Sequence, residues 1–233
     1  LHLYDEFAQQ WFKRQRTKLL DAQHIKFDTP ILDAYSAYSK KLAEGLLQHN
    51  LTSIEPNPEH PLNWFFEEQD IELPTQEKIK LSYIRAGVPL MQIGQNHFAF
   101  LHKSLLEYFA ARQLFESAMA EASLALGLGL NEKFLVDEPD TLKFIVDQVR
   151  DNPALQQTLF RILEETKHDP RLEKAGSNAI TLLHKAGVVL ANRDFRGIRI
   201  PKANLSGAFL SGCDFREADL REVKLEAAAL SYT

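Results

Sequence analysis

The stretch His102-Lys103-Ser104-Leu105-Leu106-Glu107 is where residue type and spacing in this 233-residue chain come closest to chemistry. Ser104 and Glu107 have the Ser-x-x-Glu spacing of a capping box, in which two side chains satisfy free backbone N–H groups at a helix start. An imidazole just before such a start stands where those N–H groups and the helix dipole favour an anion. His102 is therefore a candidate for contact with a phosphate or carboxylate. The competing reading is a buried histidine that hydrogen-bonds at a strand end.

Elsewhere the chemistry thins out. The sequence contains no Gly-x-x-x-x-Gly-Lys-Ser/Thr loop, no His-Glu-x-x-His and no Gly-x-Ser-x-Gly. Its eight histidines do not fall at metal-ligand spacing, and Cys213 is the only cysteine, which excludes an internal disulfide or a cysteine-based zinc site. Glu67, Glu68, Asp70 and Glu72 form an acidic cluster after Asn63-Trp64-Phe65-Phe66, with no base to pair them, and read as a solvated loop. Lys13, Arg14, Arg16 and Lys18 read as a solvated helix face rather than a phosphate site. No catalytic residue, metal ligand or cofactor site is thus expected within this chain. The net charge of -5 provides no global field for nucleic acid. The lone cysteine suits a reducing, cytoplasmic compartment, and no apolar run approaches the ~20 residues of a membrane span.

The elements that would hold His102 in place can be read from periodicity. Leu3, Phe7, Trp11 and Phe12 step along an amphipathic helix within residues 1–27, a connecting segment. Residues 28–125 mix helices with a hairpin. Ile31, Tyr35, Tyr38, Leu42 and Leu46 mark a helix that stops near Asn50, and 54–61 is a proline-rich loop. Thr75 is expected to cap a short helix ending at Gly87; 88–93 and 98–102 are two short strands around Gly94–His97. Leu106, Phe109, Ala110 and Leu114 give the next helix its apolar face. Residues 126–190 read as short antiparallel helices, two of them opened by Asn152-Pro153 and Asp169-Pro170.

From residue 191 to 233 a different period takes over. Phe195, Ile200, Leu205, Leu210, Phe215, Leu220, Leu225 and Leu230 recur every fifth position, and small or modest residues stand two places before them from Ala203 onward. Neither 3.6 nor 2 gives five, so this is a structural repeat. Arg193 and Ile198 break the small-residue rule, so an irregular first coil is expected where it meets the helices.

Two familiar patterns emerge here. Phe100, His102, Ser104, Glu107, Tyr108, Ala110 and Ala111 resemble the end of the winged-helix domain in NACHT-type NTPases of the STAND class. The opening segment (3–16) resembles the stretch after the nucleotide-binding core in NACHT proteins carrying pentapeptide repeats, and 178–208 resembles their junction between helices and repeats. The final stretch resembles the pentapeptide-repeat family. The fold class implied is α+β and multi-domain. It is mainly α-helical, winged-helix-like plus helical bundle, with a C-terminal right-handed quadrilateral β-helix that continues in a longer parent protein. The eight large residues would point inward as its core. By the same resemblance, the parent binds ADP or ATP with Mg in an upstream NTPase domain in cis. His102 would approach the ADP phosphates, and the parent would form a homo-oligomer on activation.

The chain is accordingly expected to be a regulatory and sensor-connecting arm, with protein partners and without its own enzymatic activity. A stand-alone pentapeptide-repeat scaffold that binds proteins is the alternative. A DNA-mimicking version is disfavoured, because residues 191–233 carry seven Lys or Arg against six Asp or Glu. A DNA-binding winged helix is disfavoured too, since the helix from Ile31 to Asn50 holds only Lys40 and Lys41 against Asp33 and Glu44. The purified chain should not hydrolyse ATP; phosphate release that co-purifies with it and responds to mutation of its carboxylates would overturn this expectation.

Overall fold

The computed structural model describes residues 2–23, 30–67, 70–72, 78–119 and 129–231. It is mainly helical, with two two-stranded antiparallel sheets among the described residues. The chain divides into two compact units, Leu1–Ala110 and Ala111–Thr233.

The first unit contains α1 (His2–Gln23), α2 (Pro30–Gln48), β1 (Asp70–Glu72), β2 (Lys78–Lys80), α3 (Leu81–Gly87), β3 (Leu90–Ile93) and β4 (His97–Phe100), and it includes the start of α4 (Lys103–Met119). Its core is aromatic. Phe12 of α1 lies 5.9 Å from the Tyr35 ring and 6.1 Å from that of Phe109, and Phe100 lies 5.7 Å from Phe109. Ile31, Leu42, Leu46, Leu81 and Ile84 complete it from α2 and α3. Glycine at 87 is a packing requirement, because a Cβ there would collide with the Tyr35 ring. The Gly87 carbonyl also accepts from the Trp11 indole at 2.9 Å.

The hairpin β3–β4 turns at Gly94, whose φ of 65° suits glycine, and pairs Leu90 with Phe100 through to Ile93 with His97. Ile54 adds one antiparallel bridge to Phe98, with both backbone bonds at 2.8 Å. Two expectations need correction. The short helix opens at Leu81, because Lys78–Lys80 pair as a strand with Asp70–Glu72; Thr75 itself lies outside the described residues. Asp70 and Glu72 stand in that strand rather than in a loop, in register with Lys80 and Lys78. Glu68 lies outside the described residues.

The second unit holds the rest of α4 with α5 (Pro139–Arg150), α6 (Pro153–Glu165) and α7 (Glu173–Lys185). Asn152 caps α6 as expected, accepting from the Leu155 N–H at 3.0 Å. Asp169 does the same for a 3-10 turn, Pro170–Leu172. Every residue from Ala175 to Leu183 is buried. Within that run Asn178 donates to the carbonyls of Leu130 and Lys133 and accepts from the Leu135 N–H, each at 2.7 Å, so the segment 130–135 is fastened to α7.

After Gly187, which ends α7 with φ 79°, the chain winds into a stacked coil. Parallel bridges join Asp194 to Asp214, Arg199 to Asp219, Asn204 to Lys224 and Phe209 to Ala229, so the backbone returns on itself after twenty residues, four pentapeptides. Each pentapeptide turns once. The carbonyls of Phe195, Ile200, Leu205, Leu210, Phe215, Leu220 and Leu225 accept from the N–H three residues on, and positive φ recurs at 197, 202, 207, 212, 217, 222 and 227. This is the type II turn, with its left-handed residue in third place. Asn192 has the same φ, so the left-handed corner is already present where the coil begins, and there the Leu190 carbonyl accepts from the Cys213 thiol. Arg193 is accommodated outside, its guanidinium 3.8 Å from the Phe160 ring centroid, while Ile198 is fully buried.

Only three of those corners are glycine, and a non-glycine residue there costs roughly 1–2 kcal/mol. Gly207→Ala should therefore destabilise by about that amount, although nothing lies within 4 Å of the added methyl. Ala227→Gly should be neutral or stabilising, because relief at φ 57° offsets the unfolded-state entropy that glycine adds. Denaturant titrations of both variants check this; equal losses would contradict the corner assignment.

Candidate functional site

His102 lies exposed one residue before α4. Its ring Nδ1 accepts from the Ser104 N–H at 3.2 Å and lies 3.1 Å from the Ser104 hydroxyl, while the Leu105 N–H donates to the His102 carbonyl at 2.9 Å. The cap is thus histidine itself, ahead of the Ser104–Glu107 box that the spacing predicts. Ser104 sits inside the first turn. Glu107 is buried and pairs with the Lys103 ammonium at 2.8 Å instead of reaching back. Because Nδ1 acts as an acceptor, the proton of the neutral ring belongs on Nε2, which makes that nitrogen a donor. The residues around it divide cleanly: Phe100, Tyr108, Ala110 and Ala111 are buried, and His102 is not. Tyr108 also donates to Asp5 of α1 at 2.5 Å, so α1 is tied to the base of this helix.

The repeat residues fall in two groups. Phe195, Ile200, Leu205 and Leu210 are buried, as are Ala203, Ala208 and Cys213 beside them. Phe215, Leu220 and Leu225 keep the same register but are only half-buried, and Leu230 is 43 % exposed. The difference is positional: the first coil is covered by the second, whose far side opens on an apolar hollow of about 640 Å³ lined by Leu205, Leu210, Phe215, Leu220, Leu225 and Leu230.

On its other side the first coil meets α7 and the end of α6. Parallel stacking leaves that edge with backbone groups that a preceding coil would satisfy, and side chains take its place. The Thr166 hydroxyl accepts from the Arg199 N–H at 3.1 Å and Thr181 from the Asn204 N–H at 3.0 Å. Ser177 donates to the Pro201 carbonyl at 2.5 Å, and His184 Nε2 to that of Ser206 at 2.9 Å. These groups correspond, twenty residues earlier, to those that the second coil offers to the first. Gly176 permits the approach, since a Cβ there would lie 2.5 Å from the Arg199 carbonyl oxygen. Motif and period alone do not single out these four side chains. A signal does exist in Ser177, Thr181 and His184, which form a polar i, i+4, i+7 stripe on a helix whose residues from Ala175 to Leu183 are all buried.

The outward surface differs from side to side. Asp194, Asp214 and Asp219 each hold the guanidinium two residues on, Arg196, Arg216 and Arg221, and also accept its backbone N–H. Those hydrogen bonds keep all three carboxyls below the usual aspartate range. The side carrying Phe209 and Ala229 has no charge at its bridging positions, and Phe209 is 69 % exposed. Among the described residues no group of three or more His, Cys, Asp or Glu is placed to hold a metal ion, and no helix is long and apolar enough to cross a membrane.

Burial holds the His184 pKa below its ordinary value near 6.5, with Lys185 adding to the shift and the Ser206 bond opposing it. The neutral ring is therefore the folded form. Its contribution to stability is complete above the unfolded value and is lost as pH falls through the lower folded one. The melting temperature should drop on acidification from about pH 7.5 to about pH 5.5. That drop should shrink in His184→Gln, whose amide can still donate to Ser206 but does not titrate. An unchanged pH slope in the variant would exclude this role. The aspartates lose their contribution in the same direction but in a more acidic window.

Residues 202–231 match the family model described as pentapeptide repeats (8 copies). No curated protein and no solved structure matches the chain. The match begins at Lys202, whereas the corner and bridge geometry begins ten residues earlier, at Asn192.

Proposed function

We propose that this chain is a non-catalytic arm of a larger NACHT-type STAND protein. In this reading residues 28–125 form a winged-helix-like unit that reads nucleotide state, and the repeat region is a right-handed quadrilateral β-helix that carries partner contacts. The observation that carries it is the split within the motif from Phe100 to Ala111. Its apolar members are consumed by the core, while His102 stays at the surface with its Nε2 donor uncommitted to the cap. A donor at a helix start suits the phosphates of ADP or ATP held with Mg by an upstream NTPase domain in cis. Loss of that contact would favour the open, assembling homo-oligomer in the cytoplasm.

The experiment separates capping from sensing. In the parent protein, His102→Ala removes both the cap and the outward donor, while His102→Asn retains a capping side chain and loses the imidazole. Both should shorten ADP retention by roughly fivefold or more, as expected for one charge-assisted contact of about 1–3 kcal/mol. Only the alanine variant should also lose thermal stability. Asparagine retaining ADP as the parent does would exclude the sensing role.

One observation favours a second reading, a stand-alone pentapeptide-repeat scaffold that binds proteins. The coil is anchored by its own helices through Thr166, Ser177, Thr181 and His184, and it displays sides of different chemistry.

A further inference from the structure

We infer that the outer face of α1 is a self-association surface, on which two copies of the chain pair their first helices antiparallel. This pairing is independent of the NACHT reading. It starts from a helix with two contrasting faces. Ala8 and Phe12 are buried against the first unit, and Trp11 and Asp5 are tied to it through Gly87 and Tyr108. The opposite face, traced at 3.6 residues per turn, runs through Leu3, Phe7, Gln10, Arg14 and Thr17. Glu6 and Lys13 flank it on one side and Lys18 on the other. Leu3 is 75 % exposed and Phe7, whose ring stacks on Trp11 at 6.1 Å, is 39 % exposed, which leaves two large apolar side chains facing solvent one turn apart. Glu6, Lys13, Arg14 and Lys18 are all exposed as well.

The charge order along this face selects the occupant. Within the stretch that pairs, acid lies near the start, at Glu6, and base follows at Lys13, Arg14 and Lys18, while Asp21 lies on the same face beyond it. A parallel partner would set base against base. An antiparallel copy with its two-fold axis at Gln10 sets each residue opposite the one whose number makes a sum near twenty. Glu6 of one copy then faces Lys13 of the other on the same flank, and symmetry makes this contact twice. Phe7 faces the stem and guanidinium of Arg14, an arrangement suited to a cation–π contact. Leu3 meets Thr17. The face is thereby complementary to itself, as a two-fold interface must be. The helix begins at His2, so with the axis at Gln10 the two copies overlap from residue 2 to residue 18, about 25 Å at 1.5 Å per residue, and the contact is narrow. It belongs with weak or transient interfaces rather than obligate ones.

Sedimentation velocity of the full chain over a concentration series tests this. A reversible monomer–dimer equilibrium is expected, weakened by salt because Glu6–Lys13 pairs at its rim are screened. Phe7→Ser should shift the dissociation constant upward by about tenfold or more. Glu6→Lys and Lys13→Glu should each weaken dimerisation to a similar extent by placing like charges opposite one another. The double variant Glu6→Lys/Lys13→Glu restores opposite charges and should recover an affinity close to that of the parent. All of these positions are exposed, and circular dichroism checks that the fold is retained. A chain that stays monomeric at every accessible concentration overturns the proposal. So does a dimer indifferent to these substitutions, or one that the double variant fails to restore.

Discussion

A parallel backbone edge cannot be left bare against an apolar layer, and the second unit is arranged around that constraint. The first coil exposes N–H and C=O groups toward the helices, and burying them without partners would cost roughly 1–3 kcal/mol apiece. Thr166, Ser177, Thr181 and His184 meet four of them with geometry that a further coil would otherwise supply. Gly176 sets how closely the helix can come, and Asn178, one step past Ser177, fastens the same helix to the segment behind it. The helical part of this unit is thus a template as well as a neighbour: it fixes where the first corner falls, and every later corner is set by that one.

The first unit obeys a different logic, in which aromatic rings fill the space and polar tips find partners. Trp11 and Tyr108 each direct a donor across the helix packing, one to Gly87 and one to Asp5. The result is a firm base beneath the start of α4. It leaves His102 where a capping bond fixes one ring nitrogen and frees the other.

Legibility in the sequence tracks how strongly each element is specified by its own residues. The five-residue register is plain, because inward positions admit only large apolar or small side chains and recur eight times. Helices α2, α6 and α7 and the β3–β4 hairpin are plain as well, with their periodicity, Asn152, Gly94 and Gly187 all agreeing. The β1–β2 pair escapes sequence reading: three-residue strands carry almost no periodicity, and Lys78-Ile79-Lys80 could equally open the helix after it. The Ser104–Glu107 box is a sound local pattern overruled by tertiary packing, since Glu107 is drawn into the core and His102 reaches the free N–H first. The hydroxyls that close the coil are invisible for another reason. Their partners are backbone groups some twenty to thirty residues away, and a backbone group has no letter in the sequence.

The twenty-residue return has a consequence for how such a chain can change length. In an ordinary loop an extra residue or two is absorbed locally. Here each residue's direction, inward or outward, is counted from the corner before it, so a single insertion would turn Leu220 and all later positions out of the apolar column. Five inserted residues preserve inward and outward but rotate everything downstream by a quarter turn, so the Asp–Arg ladder at 194 and 214 would no longer stand over itself. Only a whole lap leaves both the interior and the pattern on each side intact. Length in this region is therefore quantised, with a fine step that the core tolerates and a coarse step that the surface tolerates.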